Sequence, residues 1–305
     1  MKYDFLVVCL NPTIQKTIIL KELKENEVNR SADYRNDAAG KGVNTTRILQ
    51  QLGANAVHLT QSGDQGEYLL ELIGRDNLPL FTADNSSYIR TCTTLINKSR
   101  GTVTEIVEES PSVDSETGKH IMKLYKNLLE KTKYVILTGS KAAGFEDTIF
   151  PEMIRLAKSS GKTVILDYRG KDLLNSVVYR PDILKINFPE FVSTFFPDSS
   201  IGEHEENIEL KALVIEKMKL LLEKYGIRTI LTRGIMPVIY IDNEVVIKEE
   251  EIHPVKTVNT IGCGDAVTAG IAFKLHQHKS LEEAVKWGIE CGAKNAALLR
   301  PGVIR

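Results

Sequence analysis

Residues 5–10 form an unbroken apolar run, F-L-V-V-C-L, that stops abruptly at Asn11-Pro12. Such a run suits a strand buried on both faces of a sheet, which requires covering layers above and below it. The pattern recurs along the chain. Residues 134–137 lead into Thr138-Gly139-Ser140, residues 164–166 into Asp167, residues 183–186 into Asn187, and residues 227–232 into Arg233-Gly234. A strand at 56–60, a turn at 63–66 and a helix at 67–75 give the β-turn-α rhythm of a parallel sheet. In open parallel sheets ligands sit beyond the carboxyl ends of the strands, so these polar residues converge on one crevice although far apart in sequence.

With 305 residues, 42% of them hydrophobic, the chain has ample core for one large α/β domain or such a domain with a small accessory sheet. Lys plus Arg (39) nearly balance Asp plus Glu (40), so no global field draws in nucleic acid or an anionic membrane. No apolar run approaches the ~20 residues of a membrane span. Cys9, Cys92, Cys263 and Cys291 lie far apart with no C-x-x-C pair, and the N-terminus lacks the basic-then-apolar layout of a signal peptide. A reducing cytoplasm is the expected compartment. The histidines at 58, 120, 204, 253, 276 and 278 show no metal-ligand spacing, and His276 and His278, two apart on a helix, are read as solvated.

Residues 13–20 (T-I-Q-K-T-I-I-L) alternate as a strand does, residues 29–36 are polar, and 90–97 with 102–107 read as a hairpin. Segments of about 13–36 and 88–108 are therefore expected to leave the single α/β core as a small β-sheet flap. Arg90 opens the hairpin, where a guanidinium suits either a forked contact to a phosphate or a solvated strand edge. Ala38-Ala39-Gly40-Lys41-Gly42-Val43-Asn44 starts a helix through Leu52, with Val43, Ile48, Leu49 and Leu52 on one face. It reads as an anion site with Lys41 as a point charge, or as a capped helix with an exposed lysine. It is not a Walker A loop, because Arg35 stands where the first glycine would fall. Asn187 and Glu190, three apart, suit the water shell of a hard cation, or a plain helix cap. Residues 238–247 resemble a hairpin turning at Asp242-Asn243, and 281–299 an apolar-faced helical region.

Residues 258–273, V-N-T-I-G-C-G-D-A-V-T-A-G-I-A-F, carry the strongest chemical signal. Asn259 and Thr260 close an extended run, Gly262 and Gly264 permit a tight turn, and a small-residue helix is predicted from Ala266 onward. A loop-to-helix junction of this kind presents unpaired N–H groups and a positive dipole end to an anion. Asp265 would repel a phosphate as a ligand, but it can orient and deprotonate a hydroxyl that attacks one. A glycine turn with an aspartate favouring the helix start reads equally well.

Taken together, L-N-P-T-I-Q at 10–15, A-A-G-K-G-V-N at 38–44, G-T-V-T-E-I at 101–106, G-S at 139–140, L-D at 166–167, N-F-P-E at 187–190 and N-T-I-G-C-G-D at 259–265 resemble the PfkB carbohydrate kinases. The resemblance is to the ribokinase-like branch with 1-phosphofructokinase and tagatose-6-phosphate kinase. It implies a doubly wound, mainly parallel α/β core with a β-sheet lid, ATP and Mg²⁺, a sugar-phosphate substrate, and homodimerisation through the lids. Asp265 then corresponds to the catalytic base, and Gly262, Cys263 and Gly264 to the anion hole. Lys41 and Arg90 correspond to binders of the phosphate already on the substrate, with Gln15, Gly40, Asn44 and Ser140 as further substrate contacts. Asn187 and Glu190 correspond to the Mg²⁺-phosphate motif, Glu190 acting on the metal through water, and Thr232, Gly234 and Asn295 to nucleotide contacts.

Gln15 stands in place of the branch's usual aspartate, Ala39 of a glycine, Lys141-Ala142-Ala143 of Leu-Pro-Pro, Tyr168-Arg169 of Thr-Ser, and Pro237 of a nucleotide-loop glycine. The expected activity is ATP-dependent phosphorylation of fructose 1-phosphate or tagatose 6-phosphate. The alternatives are a kinase of an unphosphorylated sugar or nucleoside, and a catalytically silent sugar-phosphate sensor.

Overall fold

The structure is a computed structural model describing residues 2–64, 66–202 and 205–305. Gln65, in the turn expected at 63–66, and His204 lie outside the described residues. In chain order the elements are β1 (Tyr3–Val8), β2 (Thr13–Leu20), β3 (Tyr34–Ala39), α1 (Lys41–Gln51), β4 (Ala56–Ser62), α2 (Gly66–Gly74), β5 (Leu80–Asp84), β6 (Arg90–Asn97) and β7 (Thr102–Val107). Then follow α3 (Ser115–Leu129), β8 (Thr132–Thr138), α4 (Ile149–Ser159), β9 (Thr163–Asp167), α5 (Lys171–Ser176), β10 (Ile183–Asn187) and α6 (Phe188–Phe195). The chain ends with α7 (Ile208–Tyr225), β11 (Arg228–Arg233), β12 (Met236–Ile241), β13 (Ile247–Glu250), α8 (Cys263–His276) and α9 (Leu281–Ala296).

Nine strands form one sheet in the order β13-β12-β11-β10-β9-β8-β1-β4-β5. From β11 to β5 every neighbour is parallel, and β12 and β13 add an antiparallel edge. Strand periodicity splits each buried run between two cores. Leu6 and Val8 of β1 join Tyr125, Phe150, Phe191 and Val214 on the α3, α4, α6 and α7 side. Phe5 and Val7 join Ile48, Leu49, Ala269 and Val285 on the α1, α8 and α9 side. The small residues of α8 are explained by α9, because a Cβ on Gly270 would lie 2.8 Å from the Gly288 Cα.

A second sheet, β3-β2-β6-β7, stands apart from the first, with β2 and β6 parallel and the outer pairs antiparallel. Thr13 lies opposite Ala39 on one side and Arg90 on the other, so the root of this lid brings Arg90 next to the start of α1. Ala39 is ordinary strand, and the left-handed φ of +93° falls on Gly40, so the missing glycine at 39 leaves the backbone unstrained. Pro237 sits where the β11–β12 register shifts, a place where a missing N–H breaks no ladder.

Two local expectations are corrected. Helix α8 begins at Cys263 rather than Ala266, so the glycine turn is tighter. His276 is half-buried rather than solvated: its ring packs at 5.3 Å on Phe5 and 5.5 Å on Tyr134, with Nε2 3.3 Å from Asp4, and burial lowers its pKa. Among the described residues no helix is long and apolar enough to cross a membrane.

Candidate active site

The site is assembled at the carboxyl ends of β1, β8, β9, β10 and β11, where the starts of α1, α6 and α8 meet. Gly262 caps α8 with a φ of +83°, and a Cβ there would come within 2.9 Å of the Gly302 nitrogen. The Cys263 N–H closes the turn onto Thr260 O at 3.2 Å, and the Ala266 N–H bonds Gly262 O at 2.9 Å. The N–H groups of Gly264 and Asp265, in the first turn, have no partner among the described residues and mark the positive end of the helix. Of the N–H groups expected to form an anion hole, at Gly262, Cys263 and Gly264, that of Cys263 is used in closing the turn, while those of Gly262 and Gly264 have no partner among the described residues.

Asn295, expected at the nucleotide, has no exposed surface. Its Nδ2 donates to Ile261 O at 2.9 Å and faces Cys263 Sγ at 3.4 Å, while its Oδ1 accepts from the Gly302 and Val303 N–H groups at 2.8 and 3.3 Å. Full burial corrects that expectation: Asn295 ties the glycine turn to the C-terminal segment. Cys263 itself is half-buried, whereas Cys9, Cys92 and Cys291 are buried thiols.

Asp265 is buried, and its Oδ2 accepts from Asn44 Nδ2 at 2.8 Å. Burial raises its carboxyl to about 6, with Lys41, Lys185 and the Asn44 bond opposing and the Asp167 charge adding. Asp167, at the end of β9, faces the same side because it follows Ile165 by two residues. Lys41 Nζ is 2.8 Å from its Oδ1, Lys185 Nζ 3.4 Å from its Oδ2, and Thr268 donates to Oδ2 at 2.6 Å. Burial works against the Asp167 carboxylate, but the two lysines and the hydrogen bonds outweigh it and bring its pKa to about 2. Burial likewise opposes the Lys41 charge, and Asp167, Glu190 and Asp265 overcome it, holding Lys41 above the usual lysine range. Lys185 also donates to Gly264 O at 2.9 Å, which places a buried cation directly beneath the glycine turn.

Asn187 and Glu190 form a capping box at the start of α6: Asn187 Oδ1 accepts from the Glu190 N–H at 2.7 Å, and Glu190 Oε2 from the Asn187 N–H at 3.1 Å. The capping role is real, and it leaves Glu190 Oε1 pointing to Lys41 at 3.9 Å. Thr232 lies opposite Asn187 in the ladder, and Gly234, φ +60°, makes the tight turn from β11 to β12. No cluster of three or more His, Cys, Asp or Glu side chains is placed to hold a metal among the described residues. Glu190, with one oxygen outside the capping box, fits a metal held through water and phosphate rather than by a protein cage.

On the lid side, Gln15 is buried and its Nε2 donates to Cys92 O at 3.0 Å and Thr94 Oγ1 at 2.7 Å. Its carbonyl oxygen has no partner among the described residues. Arg90 forms no ion pair there either, and its buried Nε lacks any hydrogen-bond partner. Ser140 is exposed and its Oγ accepts from Asn11 Nδ2 at 3.0 Å. Lys141 is held by Asp172, and by Asp147 at 3.3 Å, and Tyr168 turns into the core on Phe150 at 4.8 Å. Lys185 and Thr268 carry no expectation from the motifs. A lysine inside the otherwise apolar strand I-L-K-I-N was the signal for the first, since a buried ammonium requires a partner.

An open α/β sheet with a β lid, three helix starts and an acid beside a glycine turn defines a phosphotransferase with an alcohol acceptor. The chain belongs to the pfkB family carbohydrate kinases, whose profile matches residues 5–302. It is similar to phosphofructokinase-2 from Escherichia coli, with a TM-score of 0.85 at 18% identity over 98% of this chain and 94% of that one. A possible 1-phosphofructokinase from Thermotoga maritima gives a TM-score of 0.85 at 21% identity, covering 98% and 93% of the two chains. A ribokinase from the same organism gives 0.73 at 19%, covering 98% and 95%.

Proposed function

We propose that this kinase transfers a phosphoryl group from ATP, with Mg²⁺, to a hydroxyl of a ketohexose phosphate, fructose 1-phosphate or tagatose 6-phosphate. The observation that carries the reading is Asp265: a buried carboxyl held by Asn44 beside two unpartnered N–H groups at the start of α8. With a pKa of about 6 it is ionised at neutral pH yet basic enough to take the proton of an attacking hydroxyl. The Gly264 and Asp265 N–H groups and the Lys41 ammonium stabilise charge on the group in transfer. Bound Mg²⁺ neutralises charge on the nucleotide phosphates, and Glu190 with Asn187 would hold it through water. Thr232 and Gly234 border the nucleotide.

Arg90, a lid-root cation with no ion-pair partner among the described residues, receives the phosphate that the acceptor already carries. Gln15 has its NH₂ engaged by the lid, so it presents only its carbonyl oxygen and accepts from a sugar hydroxyl as the usual aspartate does. Lid-to-lid dimerisation is part of the reading, since Tyr34, Ile106 and Val107 are exposed apolar side chains on the second sheet. A coupled ADP-release assay over hexoses, nucleosides and sugar phosphates tests the substrate. Turnover concentrated on a phosphorylated ketohexose is expected. A preference for an unphosphorylated sugar or nucleoside, or no turnover with any acceptor, removes the proposal.

A further inference from the structure

Asn44 belongs to two networks. Its Nδ2 donates to Asp265 Oδ2 at 2.8 Å, and its Oδ1 accepts from Arg47 Nη1 at 3.3 Å. An amide has a donor and an acceptor face, and the reverse orientation would set its carbonyl against a carboxylate and its NH₂ against a guanidinium. Arg47 therefore decides which face Asp265 meets. It is 2% exposed and fixed by three further contacts: Asp76 Oδ2 at 2.9 Å, Ala38 O at 2.8 Å and Pro301 O at 3.2 Å. The Asp76 carboxylate also receives Arg300 Nη1 and Nη2 at 2.7 and 2.6 Å, and Arg300 Nε reaches Asp37 of lid strand β3 at 2.9 Å. Gly302 packs closely on the same amide, where a Cβ would lie 2.6 Å from Asn44 Oδ1.

We propose that Arg47 is a positioning residue for Asp265: by donating to Asn44 Oδ1 it turns the amide N–H toward the carboxylate, and the Asp76–Arg300–Asp37 bridge anchors it to the lid. The kinetic consequence rests on Asp265 being the base of the proposed transfer, but the orientation itself does not. The charged and titratable groups that face Asp265 directly are Lys41 from α1, Asp167 from β9, Lys185 from β10 and the Cys9 thiol beyond β1. Arg47 acts through the amide, so its effect depends on Asn44.

The test is a pH titration of the whole protein carrying ¹³C-carboxyl aspartate, with the Asp265 signal assigned by its loss in Asp265→Asn. The wild-type midpoint is expected near 6. Arg47→Met is expected to raise it by about 0.5–1 pH unit, the scale of one hydrogen bond. In an Asn44→Ala background the same substitution is expected to add nothing. An unmoved midpoint, or an equal rise without Asn44, overturns the proposal in favour of a purely structural or purely charge-based role. If Arg47→Met does not fold, Arg47→Lys keeps the charge but offers one ammonium, held by Asp76; the rise is still expected, and its absence is equally decisive. Should the wild type turn over no acceptor, the kinase reading falls while the titration still decides the role of Arg47.

Discussion

Lys41 Nζ lies 2.8 Å from Asp167 Oδ1, joining a helix-start lysine to a strand-end aspartate 126 residues further along the chain. The pair sits between Glu190 and Asp265, so Lys41 holds three carboxylates in one cleft. Lys185 shares Asp167 from below. The arrangement keeps Asp167 ionised and leaves Asp265 as the carboxyl that titrates near 6.

Lys41→Met removes a cation from both acids. The expected result is a fall in kcat on the order of 10²-fold, as for loss of one charge-stabilising donor. The KM for a phosphorylated acceptor is expected to rise as well. Because Lys41 lowers the Asp265 pKa, the acid limb of the pH–rate profile should move to higher pH; an unmoved limb would separate Lys41 from Asp265.

Asp265→Asn should make the protein more stable at neutral pH. The folded pKa of about 6 lies above the ordinary 3.8, so the folded state binds more protons between those values and stability from this group falls as pH rises through that window. Removing the charge should recover about 1–3 kcal/mol at pH 7. A Tm rise on the order of 2–5 °C follows, vanishing below about pH 4. Calorimetry at pH 7.5 and 4 checks it, and a lower Tm at pH 7.5 would contradict it.

Arg90→Ala should raise KM about 10- to 100-fold for a phosphorylated acceptor, the scale of a charge-assisted contact. With an unphosphorylated sugar KM should stay unchanged. Equal losses with both acceptors would point to a loosened lid root instead.

Asn295→Ala leaves Ile261 O and the Gly302 and Val303 N–H groups without partners. It should destabilise by roughly 2–4 kcal/mol, from several buried groups left unsatisfied. The KM for ATP measured well below the new Tm should be close to wild type. A raised KM with unchanged Tm would restore Asn295 to the nucleotide site.

The sheet core was legible because buried strands repeat as apolar runs that end in polar residues, as at Leu166-Asp167 and Ile186-Asn187. Helix α3 carries a signal in the Asp114 cap and the Ile121, Tyr125 and Leu128 spacing, but it is weaker than the strand pattern on either side of it. Helices α4 and α7 and the short edge strand β5 emerge only from the structure. The motif residues Asp265, Lys41 and Glu190 do converge, but motifs state which residues matter and not which partners hold them. For Asn295 the resemblance implies a nucleotide contact, and only the bonds from its Oδ1 to the Gly302 and Val303 N–H groups show it as a tie between the glycine turn and the C-terminal segment. The Lys41–Asp167 pair joins motifs 126 residues apart in sequence and needs three dimensions to be seen.

Turnover of Asp265→Asn with ATP and the best phosphorylated acceptor tests the central claim most directly. The expected result is a kcat reduced at least ~10²-fold with ATP affinity nearly unchanged, the signature of a lost base in a site that still assembles. A variant that keeps most of the wild-type turnover would contradict it and remove Asp265 from the chemistry.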